Sequence, residues 1–219
     1  MKARERLITT FQGNKADRVP VSPFIFLNNI YEMFQYKPDI DHFLSPQDFD
    51  VAEKFVAYHD YFGFDVLFSP GLLWDSYIPE TSDNWEVTIT KEGDADSQLR
   101  TTLVKTPDGN LTQVMRFNRS STYMVVLAVE KYIIENKQDF EIFAKYAPPA
   151  QFIDYELISK ARKVVNDKGL INVATHGAFN TLNQFRKLED MMMDPVVDEG
   201  FYRAMMDFFL DWNINHLKE

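Results

Sequence analysis

The 219-residue chain contains no cysteine. That excludes disulfides, a thiol nucleophile and any zinc site built on thiolates within these residues. Cationic side chains are also scarce: 23 Lys and Arg stand against 33 Asp and Glu, for a formal charge of -10. Affinity for nucleic acid comes mainly from clustered Lys and Arg, so a phosphate-coating role is disfavoured. No apolar run approaches the roughly 20 residues that a membrane-spanning helix needs. Residues 1–11 are charged and amphipathic where a signal peptide would have an apolar centre. The expectation is a cytoplasmic protein with neither a membrane nor a nucleic-acid partner. Internal repeats, low-complexity stretches and an obvious linker are missing too, which makes a single domain over residues 1–219 the economical reading.

Hydrophobic residues make up 45% of the chain, enough to bury a core. "KARERLITTFQG" carries Leu7, Ile8 and Phe11 with Gly13 just beyond, the pattern of a short amphipathic helix with a glycine stop. "DRVPVSPFIF" reads as a buried strand that Pro20 and Pro23 confine to a strand start or an irregular edge. Ser45-Pro46 supplies an N-cap and a first-turn proline for a helix over 45–62, and "FDVLFSPG" is a second buried strand closed by Pro-Gly. The alternating stretches "NWEVTITKEG", "SQLRTTLVKTPDGN" and "LTQVMRFN" predict an antiparallel hairpin or meander. Helices follow over 137–146 and 153–165. "LINVATHGAFNTLNQF" then reads as a third buried strand that turns and opens a helix. "DPVVDEGFYRAMMDFFLDWNINHL" has an Asp-Pro start and apolar residues near helical spacing, so it is expected to form one amphipathic helix.

Short apolar strands alternating with helices predict an α/β layer structure with parallel strands, whose carboxyl ends would share one rim. His176 stands at the break after the third strand as an acid, base or hydrogen-bond donor, or as a turn residue. Ser69 ends the second strand, and Trp74 and Asp75 after it would supply an apolar wall and a carboxylate, or packing and a cap. Asn28 and Asn29 after the first strand, and Asn180 and Asn183 after the third, are candidate ligand contacts, with turn or helix capping as the bland alternative. His59 is expected at the surface beside Asp60. His216 and Asp211 are five residues apart, a poor spacing for a shared metal.

The stretches "RERLITTFQGNKADRVPVSPF", "YFGFDVLFSP", "VEKYIIENKQDFEIF" and "HGAFNTLNQF" occur in an order that resembles the uroporphyrinogen decarboxylase superfamily, which also contains cobalamin-dependent methyltransferases. The resemblance spans essentially the whole chain. It implies a TIM-type (β/α)8 barrel, which takes roughly 250 residues or more. On this alignment the chain is truncated after about three strands and carries the hairpin or meander at 84–118 as an insertion. Such a partial barrel has an open edge that a partner, for instance the second copy in a homodimer, would cover. For the decarboxylases the resemblance implies arginines after the first strand, an aspartate after the Phe-Ser of the second and a tyrosine after the third. Here "SPFIFLNNIYEM" has no arginine, and Pro70 and Phe185 occupy the other two positions. The resemblance therefore implies the other branch: a corrinoid-linked, methyltransferase-type enzyme acting on a small methylated substrate. It would have a corrinoid protein as partner, no cofactor within this segment, and zinc in later strands of a complete protein. Uroporphyrinogen decarboxylase of tetrapyrrole biosynthesis and a non-catalytic partial-barrel binding module are the alternatives.

Overall fold

The computed structural model describes residues 1–43, 48–69, 78–149, 155–172 and 177–218. Its contacts gather into two units: Met1–Asp75 with Ser120–Met124 and Ile153–Ala174, and Ser76–Arg119 with Val125–Phe152 and Thr175–Glu219. The fold is mixed α/β. Among the described residues it has one two-stranded parallel sheet and one four-stranded antiparallel sheet, neither closed into a barrel.

The first unit is built on strands β1 (Val66–Phe68) and β6 (Gly169–Ile171), paired in parallel with Val66 opposite Gly169. A methyl group on Gly169 would lie 1.9 Å from the Val66 carbonyl oxygen, so the strands approach this closely only because that residue has no side chain. Helices α1 (Ala3–Phe11), α2 (Leu27–Met33), α3 (Val51–Phe62) and α5 (Tyr155–Val165) belong to this unit. Helix α3 starts at Asp50, whose carboxylate accepts from the Glu53 amide, and ends at Gly63 in the left-handed conformation that glycine adopts most cheaply. Ile30, Tyr31, Phe49, Phe55, Val56, Val66, Phe68, Ala161 and Val165 form its core. Each large side chain in that core contributes roughly 1.5–3 kcal/mol by leaving water.

In the second unit, strands β2 (Glu86–Gly93), β3 (Ser97–Thr106), β4 (Gly109–Ser121) and β5 (Met124–Lys131) form a meander in sequence order. The expected meander is present and continues through β5, past the 118 boundary read from the sequence. Along β3 and β4 alternate residues are buried, as a sheet with one covered face requires. Helices α4 (Lys137–Tyr146), α6 (Ala178–Leu182), α7 (Leu188–Val197) and α8 (Glu199–Lys218) complete the unit. Phe143 stands at the centre of an aromatic core with Trp85, Phe185, Phe208, Phe209 and Trp212.

Three sequence expectations are corrected. "VPVSPFIF" is not a buried strand, because its two prolines donate no backbone hydrogen bond, and Val19, Phe24 and Phe26 face solvent. Its tie to the sheet is at Val21, whose carbonyl accepts from the Asp65 amide at 2.7 Å. The expected start of the third helix at Ser45-Pro46 lies outside the described residues, and α3 begins six residues later, at Val51. The last amphipathic stretch is two helices. Pro195 sits in the final turn of α7, the chain breaks at Asp198, and Asp198 then accepts from the Phe201 amide to start α8.

Candidate functional site

The candidate rim lies where the parallel strands end. Just past their carboxyl ends, the Asn172 amide donates to the Phe68 carbonyl at 2.8 Å, so the chain leaves β1 and β6 side by side. Ser69, half-buried, is the first residue beyond β1. Asn28 and Asn29 are half-buried in the first turn of α2, and the Asn28 amide donates to the Asn29 side-chain oxygen at 3.4 Å. These three belong to the first unit. They are neutral donors and acceptors, able to orient a polar ligand but not to offset a charged one.

Asn180 and Asn183 belong to the second unit. Asn180 is exposed inside α6 and Asn183 is the residue that closes it, so Asn180 is not the N-cap. His176, Trp74, Asp75 and Pro70 lie outside the described residues. Phe185, which the resemblance sets at the position of a site tyrosine, is a core residue. It is 1% exposed and stacks on Phe209 at 5.1 Å.

The buried charges, which the sequence did not single out, do structural work. Asp65 immediately precedes β1 and is fully buried at 0% exposure. Its carboxylate pairs with Arg6 and Arg18 and accepts from the Val21 amide at 3.0 Å. Arg6 also grips Asp17 through two bonds and donates to the Met1 carbonyl. The Arg6 guanidinium holds the Asp17 carboxyl well below the usual carboxylate range. The Asp-Arg of "DRVP" is thus part of a clamp that fixes the entry to β1. In the second unit, Arg186 pairs with Asp194 through two bonds at 2.7 and 2.8 Å, and it also binds the Ile134 and Glu135 carbonyls. Asp194 is therefore an ion-pair partner inside α7, where the sequence suggested a helix start.

His59 is a further correction: it is fully buried, not at the surface. Positions 51, 55 and 59 recur every four residues on the inward face of α3, and that spacing was the available signal. Its ring stacks on Phe55 at 4.1 Å, and Nδ1 lies 2.9 Å from the Phe55 carbonyl. A carbonyl only accepts, so Nδ1 carries the proton; Nε2 is buried with no partner. Burial pushes the imidazole below its ordinary value of 6.5, although the Phe55 carbonyl and Asp60 act in the opposite sense. The unfolded chain therefore takes up this proton near pH 6.5 while the folded chain resists it. Stability is expected to hold above that pH and to decline below it, through the lower folded value. Urea unfolding at successive pH values should show the decline in the native chain and a flatter profile in His59→Phe; equal slopes would remove His59 as its source.

Among the described residues no group of three His, Cys, Asp or Glu side chains could hold a metal ion. No described helix is long and apolar enough to cross a membrane. No family model, curated protein or solved structure matches the chain.

Proposed function

We propose that the chain is a corrinoid-linked, methyltransferase-type enzyme of the uroporphyrinogen decarboxylase superfamily. In this reading β1 and β6 belong to a TIM-type barrel whose strand-end rim takes a small methylated substrate presented with a corrinoid protein. The observation that supports it is the parallel register of β1 and β6, which brings both carboxyl ends to one edge, where barrel and open α/β enzymes put their chemistry. The described candidate side chains support this branch over decarboxylation. A polycarboxylate tetrapyrrole calls for cationic partners, whereas Ser69, Asn28 and Asn29 are neutral. Their hydroxyl and amides would orient an uncharged ligand.

Equilibrium dialysis of the chain against methylcobalamin, paired with incubation with uroporphyrinogen, tests the proposal. Saturable methylcobalamin binding is expected, weakened about tenfold by the double variant Asn28→Ala/Asn29→Ala, the loss of one or two hydrogen bonds. Formation of coproporphyrinogen would overturn it in favour of the decarboxylase. Failure of both would leave the non-catalytic binding module.

A further inference from the structure

Asp108-Gly109 is the one Asp-Gly pair in the chain, and Asn-Gly does not occur. It falls where the meander turns between β3 and β4. β3 ends at Thr106, β4 starts at Gly109, and these two residues are partners in the ladder. Only Pro107 and Asp108 lie between them, both exposed. Proline second and glycine fourth is the order that a type I turn prefers. Gly109 has a φ of +150°, which favours glycine, and a Cβ there would lie 3.2 Å from the end of the Ile142 side chain. The same lack of a side chain leaves the Gly109 amide nitrogen unshielded beside the Asp108 carboxyl.

That nitrogen can attack Cγ of Asp108. A C–N bond forms, one carboxyl oxygen leaves as water, and a succinimide ring closes. Water then reopens the ring. Opening at the former backbone carbonyl leaves Asp108 joined to Gly109 through Cγ, with its α-carboxyl group free; the water lost is regained, so mass and charge are unchanged. Lys145, in the last turn of α4, opposes the first step. Its ammonium pairs with the Asp108 carboxylate and holds it away from its own peptide. The same ammonium, helped by the Tyr146 hydroxyl, keeps the carboxyl below the usual carboxylate range, and the protonated form is the better electrophile. The two side chains are 59% and 47% exposed, and pairs so exposed open readily. Lys145 therefore slows the reaction without blocking it.

We propose that Asp108-Gly109 is a modification site: it isomerises to isoaspartate under the restraint of Lys145, and the exposed product offers a free α-carboxylate to a methyltransferase that uses S-adenosylmethionine. The change matters because isoaspartate adds a methylene to the main chain, and a two-residue connection has no slack. The Thr106 hydroxyl now donates to the Gly109 carbonyl at 2.7 Å. Two pairs further in, Val104 faces Leu111, and both are core residues at 0% and 1% exposure. A turn one methylene longer disturbs the pairing that sets their register.

Timed incubation of the whole chain at neutral pH, with samples treated with isoaspartate O-methyltransferase and labelled S-adenosylmethionine, tests this. After tryptic digestion the label should grow in the peptide 106–116, bounded by Lys105 and Arg116. Asp108→Glu should abolish it, because the larger ring closes far more slowly. Lys145→Met should label several-fold faster, and Lys145→Arg, which keeps the pair, at nearly the native rate. In urea, where the pair is gone, native and Lys145→Met chains should react equally. Label in the native chain no greater than in Asp108→Glu would overturn the proposal, as would equal rates for folded native and Lys145→Met chains. A difference that persisted in urea would overturn it too, since the restraint would then not come from the folded ion pair.

Discussion

Arg6→Met is expected to lower the unfolding free energy by about 3–5 kcal/mol, the typical cost of removing one partner from a buried ion pair. Asp65 is fully buried, and the change leaves Arg18, itself 43% exposed, as the cation facing it in the first unit. Methionine keeps most of the volume, so the loss reports charge and hydrogen bonding more than a cavity. Arg6 also releases Asp17 and the Met1 carbonyl, which loosens the turn that delivers Val21 to Asp65. For a domain whose whole stability is about 5–15 kcal/mol, the midpoint in guanidinium chloride should fall far while the slope stays constant. The acid limb adds a second check. Asp17 is depressed by Arg6, so its contribution is present above about pH 4, the unfolded carboxylate range, and is lost as pH falls through the lower folded value. In Arg6→Met that part of the pH dependence should disappear. A midpoint shift worth less than about 1 kcal/mol would mean that Arg18 alone suffices for Asp65. The double variant Arg6→Met/Asp65→Asn should recover part of the loss, since it removes the stranded charge.

Phe143→Ala is expected to cost about 3–5 kcal/mol, the range for deleting a buried phenylalanine. The ring is 0% exposed, and its centroid lies 5.0 to 6.0 Å from those of Phe185, Trp85, Trp212, Phe209 and Phe208. These neighbours come from the residue just before β2, from α8 and from the loop after α6, so no single element can move in to fill the hole. Leu at the same position should recover about half of the loss, because it restores volume but not the edge-to-face contacts. Thermal unfolding of the three proteins checks the ranking. A Phe143→Ala variant within about 1 kcal/mol of native would mean that the core collapses around the gap.

Some elements were legible from local chemistry. Helix α4 matches its expected span of 137–146 because Asn136 caps the Asp139 amide at 3.0 Å and Pro148-Pro149 follows its end. β1, β6 and the alternating strands of the meander announced themselves by short apolar or period-two runs between glycines and prolines. β5 was missed because "MVVLAVEK" is continuously apolar without alternation, and several of those side chains are exposed. The division between α7 and α8 was missed because Asp-Pro is a familiar helix opening, while the pull of Arg186 on Asp194 comes from a residue eight positions earlier. The burial of His59 was readable from its spacing with Phe55, but histidine beside aspartate suggested solvent. For the candidate site, Ser69, Asn28 and Asn29 fall in one unit with the parallel strands and Asn180 and Asn183 in the other. Sequence spacing alone cannot assign residues to units that draw on separated stretches of chain.

The pairing of Val66 with Gly169 has a consequence for how the protein is made. Synthesis proceeds at roughly 5–20 residues per second, so β1 emerges from the ribosome several seconds before its neighbour exists. During that interval Val66, Leu67 and Phe68 present an apolar strand with an open edge, the kind of segment that seeks a foreign partner. The meander of β2 to β5, whose strands pair in order, is complete well before then. Nascent chains should therefore acquire a protected β-meander early and stay dependent on chaperones for β1 until Ile171 has cleared the exit tunnel.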